Sequence, residues 1–141
     1  MSLAQPVEGE EPAGVDEESL RARITLVRDR LVLFREIRCQ TPRTIDVMFD
    51  KLQELIQPWP TFVEVLDLRG IKRPDVEARR QLLLRMRHLH PRVVHLAVAV
   101  GANPVLRALA KVFAVTLGFP SASFHETLEQ AMDAGHKALR E

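Results

Sequence analysis

The chain has 141 residues and a mass of 16.0 kDa, with 46% hydrophobic and 28% charged residues, which is the composition of one soluble globular domain. Its single cysteine, Cys39, excludes an internal disulfide framework and a structural zinc site built on thiolates. No apolar run reaches the roughly 18 residues that a membrane-spanning helix needs, and no basic-then-apolar signal sequence opens the chain. We therefore expect a cytoplasmic protein with no membrane span.

The formal net charge of +1 is distributed unevenly along the chain. Residues 1–19 hold six acidic side chains and no Lys or Arg, whereas the remaining 122 residues hold all 20 basic and 13 acidic ones. The leading segment also has almost no large apolar side chain, so it cannot bury enough surface to offset its ordering entropy. The sequence therefore predicts a disordered acidic arm over residues 1–21 and a single domain over residues 22–141.

Two short β-prone runs open the domain, at residues 23–27 and 31–37, and the polar residues between them predict an antiparallel hairpin. Thr41 and Pro42 then supply an N-cap and a proline at the first helical position, which predicts a helix that ends before Pro58. Apolar side chains recur at helical spacing along it, at Ile45, Met48, Phe49, Leu52, Leu55 and Ile56.

The rest of the chain alternates strands and helices. A strand is predicted at 61–68 and a helix from Pro74 to about Pro91, whose inner face carries Val76, Leu82, Leu83, Met86 and Leu89. A strand at 93–100 and a helix at 105–119 follow. An edge strand at 121–125 precedes a last helix, which runs from the Thr127-x-x-Gln130 capping box to about Leu139. This order predicts a small α/β sandwich, with a mostly parallel sheet of four or five strands, an N-terminal antiparallel hairpin and about four helices.

Two segments resemble a known family. Residues 62–70 (FVEVLDLRG) and 123–132 (SFHETLEQAM), together with the hairpin at the start, look like the STAS domains of sulphate transporters and anti-sigma-factor antagonists, most closely the SpoIIAA-like group. The resemblance spans residues 22–139. It implies a STAS-like fold and a non-enzymatic regulatory module that binds proteins or senses a ligand.

The chain departs from that family at its switch. Anti-sigma-factor antagonists carry a phosphorylatable serine in the turn between the central strand and the next helix, but residues 67–74 read DLRGIKRP here and include no Ser or Thr. A switch that adds about two negative charges at a helix N-terminus cannot operate at this turn. We therefore expect a module without the phosphoserine mechanism.

Polar side chains gather where two predicted parallel strands end. Asp67 is near the end of the first strand, Arg69, Lys72 and Arg73 occupy the turn after it, and Asn103 follows the second strand. Sites in α/β proteins tend to lie at this edge, and the start of the helix after Asn103 offers backbone N–H groups to an anion. The sequence leaves two interpretations open, an anion site and a capped helix beside a turn that contacts a partner protein.

His95 interrupts an otherwise apolar strand, and Glu64 is a similar polar residue in the strand before it. Three roles stay open: a pair between His95 and Glu64 across adjacent strands, a histidine satisfied by the backbone, and a His95 that lines a ligand cavity. No nucleophile, metal or cofactor signature accompanies Asp67 and His95, so we expect neither an enzyme nor a cofactor. His88 and His90 point in different directions on a helix and do not predict a metal site.

Nucleic acid is not an expected partner, although the helix that begins near Pro74 is basic. Its arginines, with one just beyond it, are Arg79, Arg80, Arg85, Arg87 and Arg92. Such a face can contact phosphates, but the chain has one Trp, no Tyr and no helix-turn-helix pattern. A solvated basic face is the preferred interpretation.

The helix predicted at 105–119 is apolar almost all round. Only Arg107 and Lys111 are charged, and the solvent side that begins with them continues into Ala114 and Val115. Helices without a polar side are buried, and one sheet covers only one face of a helix, so the other face needs a second cover. We expect a homodimer or another protein bound through residues 105–119; a neighbouring helix of the same domain is the alternative.

The predicted function is therefore a non-enzymatic, STAS-like interaction module that acts through the late helix and the turn at 67–73. The alternative is a carrier or sensor of a small apolar or anionic ligand, held between the late helix and the sheet near His95.

Overall fold

The computed structural model describes residues 16–140, which form five strands and five α-helices. In chain order they are α1 (Glu17–Arg21), β1 (Ile24–Arg28), β2 (Leu31–Arg35), α2 (Pro42–Ile56), β3 (Phe62–Asp67), α3 (Val76–Leu89), β4 (Val93–Ala99), α4 (Pro104–Leu117), β5 (Ala122–His125) and α5 (Leu128–Arg140). A 3₁₀ turn, His90–Arg92, joins α3 to β4. The predicted α/β sandwich is confirmed.

The five strands lie in the sheet in chain order. β1 pairs with β2 antiparallel, and every later neighbour pairs parallel. Arg30 takes a positive φ of 68° in the tight hairpin turn. The register between β3 and β4 shifts after Phe62, so that Glu64 lies opposite Leu96 and Val63 lies opposite His95. This register decides which polar side chains share a face of the sheet.

The helix boundaries follow the capping residues. Thr41 and Thr44 form a reciprocal capping box at the start of α2, and Thr127 and Gln130 form one at the start of α5. Helix α4 ends at Gly118, which adopts the left-handed conformation with φ of 79°. The predicted end at Phe119-Pro120 was therefore slightly late, since the glycine terminates the helix before the proline is reached.

The two faces of the sheet carry different layers. On one face α2, α3 and α4 cover side chains such as Val32, Phe34, Leu96 and Val98. On the other face α5 lies over Leu31, Val63, Val65, Ala97 and Ala99. The packing of α5 is especially close, because a Cβ on Gly135 would lie 2.7 Å from Val65 Cγ2.

The domain begins earlier than the sequence predicted. Asp16 caps α1, Leu20 is buried in the core, and the Arg21 guanidinium makes two hydrogen bonds to the Glu54 carboxylate, at 2.6 and 2.9 Å. The predicted arm boundary at residue 21 was wrong, because one apolar residue and one ion pair attach this turn to α2. The rest of the predicted arm, residues 1–15, lies outside the described residues.

The inner face of α3 also differs from the prediction at one position. Ala78, Met86 and Leu89 are buried, whereas Val76 is 58% exposed. Two residues correspond to about 200° of rotation along an α-helix, so Val76 and Ala78 face opposite directions. Because Ala78 packs inward, Val76 points to solvent.

Candidate functional site

Helix α4 is apolar but poorly covered. Of its 14 residues only Ala114 and Leu117 are buried. Leu106, Ala110 and Phe113 point towards the core yet remain partly exposed. A helix of this composition normally buries a full face, so residues 16–140 fill the space beneath α4 only in part.

The outer face of α4 is open within the described chain. The exposed apolar side chains of the helix are Val105, Leu109, Val112 and Val115. Val115 is 80% exposed, and the other three also line the cleft described next. The last helix does not cover this side of α4, because α5 packs on the opposite face of the sheet.

A cleft of about 540 Å³ lies between α3, α4 and the sheet. Most of its lining is apolar, contributed by Phe34, Phe49, Leu66, Leu68, Leu82, Leu83, Met86, Leu96, Val98, Leu106, Ala110 and Phe113. The inner side chains of α4 therefore form one wall, and alternate residues of β2, β3 and β4 form the floor. Clefts of this size and character hold small organic molecules.

Three buried polar side chains interrupt the apolar lining. Glu64 is 1% exposed, Glu36 is 6% exposed and Gln40 is 7% exposed, and all three line the cleft. The Ile37 N–H donates to Glu36 Oε1 at 3.0 Å. Glu64 Oε1 and Gln40 Oε1 have no hydrogen-bond partner among the described residues. Such atoms are rare in folded proteins, since leaving a buried polar atom unpaired costs about 1–3 kcal/mol.

Burial raises the pKa of both carboxyl groups. The pKa of Glu64 rises to about 8 through burial and through the nearby negative charge of Glu36. Burial also raises the pKa of Glu36 to about 7, against the lowering effect of its hydrogen bonds with Ile37 and Gln40 and of the charge of Arg23. At neutral pH the floor of the cleft therefore retains at least one carboxyl proton.

The turn at 67–73 lies next to the start of α4, as the strand order predicted. A Cβ on Gly101 would lie 3.7 Å from Arg69 Cγ. Arg69 Nε and Nη2 donate to the two oxygens of Asp67 at 2.8 and 2.9 Å. Burial acts to raise the pKa of Asp67, but the hydrogen bonds and charge of Arg69 outweigh it and lower the pKa. The Arg69 guanidinium and the Asp67 carboxylate therefore hydrogen-bond to each other and neutralise each other's charge.

The anion site is not formed by these residues. Asn103 Oδ1 accepts hydrogen bonds from the N–H groups of Val105 and Leu106, so the side chain occupies the donors that an anion would need. Lys72 is exposed, and Arg73 is an exposed residue of the cleft lining. The capping interpretation of Asn103 is confirmed.

His95 lies on the face of the sheet opposite the cleft. Its Nδ1 is 2.7 Å from Ser121 Oγ and its Nε2 is 2.9 Å from Ser123 Oγ, and Ser123 Oγ is also 2.7 Å from His125 Nε2. Burial and the charge of Arg107 lower the pKa of His125. His95 therefore does not line the cleft between α4 and the sheet. It does not pair with Glu64 either, because Glu64 lies opposite Leu96 and successive residues of a strand point to opposite faces.

Arg107 and Lys111 are the candidate residues that remain on α4. Arg107 donates to the Phe124 carbonyl at 3.0 Å and ties α4 to β5, whereas Lys111 is exposed. Arg85 bridges Asp46 and Asp50 at 3.0 and 2.8 Å. Among residues 16–140 no group of three His, Cys, Asp or Glu side chains is placed to hold a metal ion.

Sequence reasoning missed the part that Glu36 and Gln40 play in the cleft. A signal was present for Glu36, because Val32, Phe34 and Glu36 alternate along one strand and therefore share a face. Gln40 follows a loop whose path no periodicity predicts.

No known protein family and no curated protein matches the chain. Within residues 16–140, no helix combines the length and the hydropathy needed to cross a membrane.

Proposed function

We propose that the chain is a non-catalytic, STAS-like module that binds a small, largely apolar molecule in the cleft between α3 and α4. The observation that carries this proposal is the cleft itself: about 540 Å³ of mainly apolar lining beneath a helix whose inner side chains are only partly buried. A ligand there removes the exposed parts of Leu106, Ala110 and Phe113 from water, which is the main source of free energy for binding an apolar molecule.

Binding is preferred to catalysis because the two candidate catalytic groups lie apart. Asp67 is held by Arg69 at one end of the sheet, and His95 contacts serines on the face that α5 covers. Neither residue lines the cleft. The cleft offers hydrophobic walls and two protonatable acids, which suit recognition of a ligand.

The test is a titration with n-decanol, followed by methyl NMR. We expect shifts at Met86 and Leu106, which line the cleft, and none at Leu31, which packs under α5 on the other face. Ala110→Trp places an indole in the cleft and should weaken binding by at least about tenfold, equivalent to about 1.4 kcal/mol. Ala108→Trp is the matched control, because Ala108 is an exposed residue of the same helix. Unchanged binding in Ala110→Trp would overturn the proposal.

A second candidate function is self-association through the exposed apolar side chains of α4, three of which also line the cleft. Val105, Leu109, Val112 and Val115 form an exposed apolar stripe on one side of this helix. Symmetric dimers are the commonest assembly, and a twofold axis across α4 pairs the stripe with its own copy. Val115→Glu should then convert a dimer to a monomer in sedimentation velocity, whereas Gln53→Glu, an exposed change on α2, should not. A monomeric wild-type protein excludes this candidate.

A further inference from the structure

The floor of the cleft holds two acidic side chains, Glu36 and Glu64, in a lining that is otherwise mainly apolar. Glu64 lies at the middle of β3, 1% exposed, and lines the cleft. Its Oε1 has no hydrogen-bond partner among the described residues. Gln40, at the same floor, also has an unpaired side-chain oxygen. Gln40 Oε1 is an acceptor, and Glu64 Oε1 is an acceptor whenever Glu64 is ionised, so hydrogen-bond donors complete both atoms in the ionised state.

The described chain supplies no cation that neutralises Glu64. Arg23 donates to the main-chain carbonyl of Glu36, and Arg85 on α3 is engaged by two aspartates of α2. Arg79 and Arg73 line the cleft, the first partly exposed and the second exposed. Helix α4 adds no charged residue to the lining. Glu36 is therefore the charged group that acts on Glu64 most directly, and it is an acid.

Three kinds of ligand head group would interact differently with the acidic and amide oxygens of the floor. A neutral alcohol brings one O–H donor and no charge, and a carboxylate adds a third acid to the two already buried. A protonated amine brings three N–H donors and a positive charge. Its hydrogen bonds to carboxylates are charge-assisted and about twice as strong as those between neutral groups.

We propose that the ligand of this cleft is an amphiphilic amine, whose ammonium group is held by Glu64 and Glu36 while its apolar body lies against α3 and α4. This inference rests on the proposed function and names the class of ligand. Binding proceeds without covalent change: the ammonium keeps its protons, the protonated carboxyl of the pair ionises, and the released proton passes to solvent.

Proton release makes binding of the amine dependent on pH. The polar and charged groups around the pair are Gln40, Arg73 and Arg79, which line the cleft, and Arg23, whose charge acts on Glu36. The arginines keep their charge throughout the neutral range. Affinity for an amine should therefore rise as the pH rises towards the pKa of Glu64, because fewer protons remain to be displaced.

The experiment compares three probes with the same hydrocarbon chain: decylamine, n-decanol and decanoate. Isothermal titration calorimetry near neutral pH, in two buffers of different ionisation enthalpy, measures affinity and proton release together. We expect decylamine to bind at least about tenfold more tightly than n-decanol, decanoate to bind least tightly, and only decylamine to release a proton. Glu64→Gln should remove the preference for the amine over n-decanol and the proton release.

Glu126→Gln is the matched control, since Glu126 is exposed and does not line the cleft. If n-decanol or decanoate binds as tightly as decylamine or more tightly, the amine proposal is overturned but the proposal of a binding cleft is not. A preference for decanoate assigns the head group of the ligand to Arg73 and Arg79. Failure of all three probes to shift the cleft methyls overturns the proposed function itself. If Glu64→Gln does not fold, Glu36→Gln replaces it, because glutamine retains the oxygen that accepts from Ile37. An amine preference that survives in the variant overturns the role of the pair.

Discussion

Glu36, one residue beyond the end of β2, raises the pKa of Glu64 on β3, and the two acids line the floor of the same cleft. Both belong to the face of the sheet that α2, α3 and α4 cover, where neighbouring side chains are aliphatic or aromatic. A pair of acids in such surroundings makes the chain less stable whenever both ionise. The relationship therefore links the candidate binding site to the stability of the fold.

The free energy of unfolding should fall as the pH rises from 4.5 to about 8. In the unfolded chain each carboxyl has the ordinary pKa of 4.5, whereas burial raises these values to about 7 for Glu36 and about 8 for Glu64. The folded state thus binds more protons than the unfolded state within this window, and each carboxyl lowers stability by up to about 1.4 kcal/mol per pH unit. Urea unfolding monitored at several pH values measures the slope.

Glu64→Gln isolates the contribution of one carboxyl to that slope. The variant keeps the shape and removes the titration, so its stability advantage over the wild type should widen as the pH rises through the window. Other groups with shifted pKa values, including Asp67 and His125, are present in both proteins, so their contributions to the slope cancel in the comparison. Equal slopes in the two proteins would contradict an elevated pKa at Glu64.

Replacement of Glu64 by an apolar residue should stabilise the chain. Glu64→Met fills a similar volume and removes an unpaired buried oxygen, so we expect a gain of about 2 kcal/mol in the free energy of unfolding at neutral pH. Glu36→Met is the contrasting variant, because it removes the acceptor of the Ile37 N–H and should gain less. Chemical denaturation of both variants checks the order. A loss of stability in Glu64→Met would show that Glu64 has a stabilising partner.

Helix α4 should depend strongly on its cap. Asn103→Ala leaves the N–H groups of Val105 and Leu106 without an acceptor and should cost about 1 kcal/mol. Because α4 buries only two of its residues, we expect the loss of hydrogen-exchange protection to be confined to this helix. Asn103→Asp retains the accepting oxygen and should protect α4 as the wild type does. Loss of protection throughout the sheet in Asn103→Ala would show instead that α4 unfolds only with the whole domain.

The order and type of the elements could be predicted because capping residues and periodicity are local. Thr41, Asn103 and Thr127 each occupy the N-cap position or capping box that the sequence indicates. Alternation within a strand also predicts which of its residues share a face. It does not give the register between strands, and for that reason a pair between Glu64 and His95, both polar and on adjacent strands, was one of the roles left open.

The cleft could be predicted only in part. The lack of a polar side on α4 indicated that something more must cover it, and the exposed Val115 agrees with that expectation. The volume beneath the helix depends on how far α4 stands from α3 and from the sheet, which is a property of tertiary packing. Glu36 enters the floor because three alternate residues of one strand point the same way, and Gln40 enters through the loop after it.

Gly135 should be intolerant of any side chain, because α5 lies closer to the sheet there than a methyl group permits. A Cβ at this position would be 2.7 Å from Val65 Cγ2 and 3.1 Å from Leu31 Cδ1. Alanine favours a helix over glycine by about 1 kcal/mol, but overpacking in a core costs about 1–3 kcal/mol, so Gly135→Ala should destabilise the chain on balance. The double variant Gly135→Ala with Val65→Ala provides the control, since it removes the methyl group that the new Cβ meets. Thermal unfolding of the single variants and the double variant should show a favourable coupling between the two positions; strictly additive effects would mean that α5 moves away from the sheet without resistance.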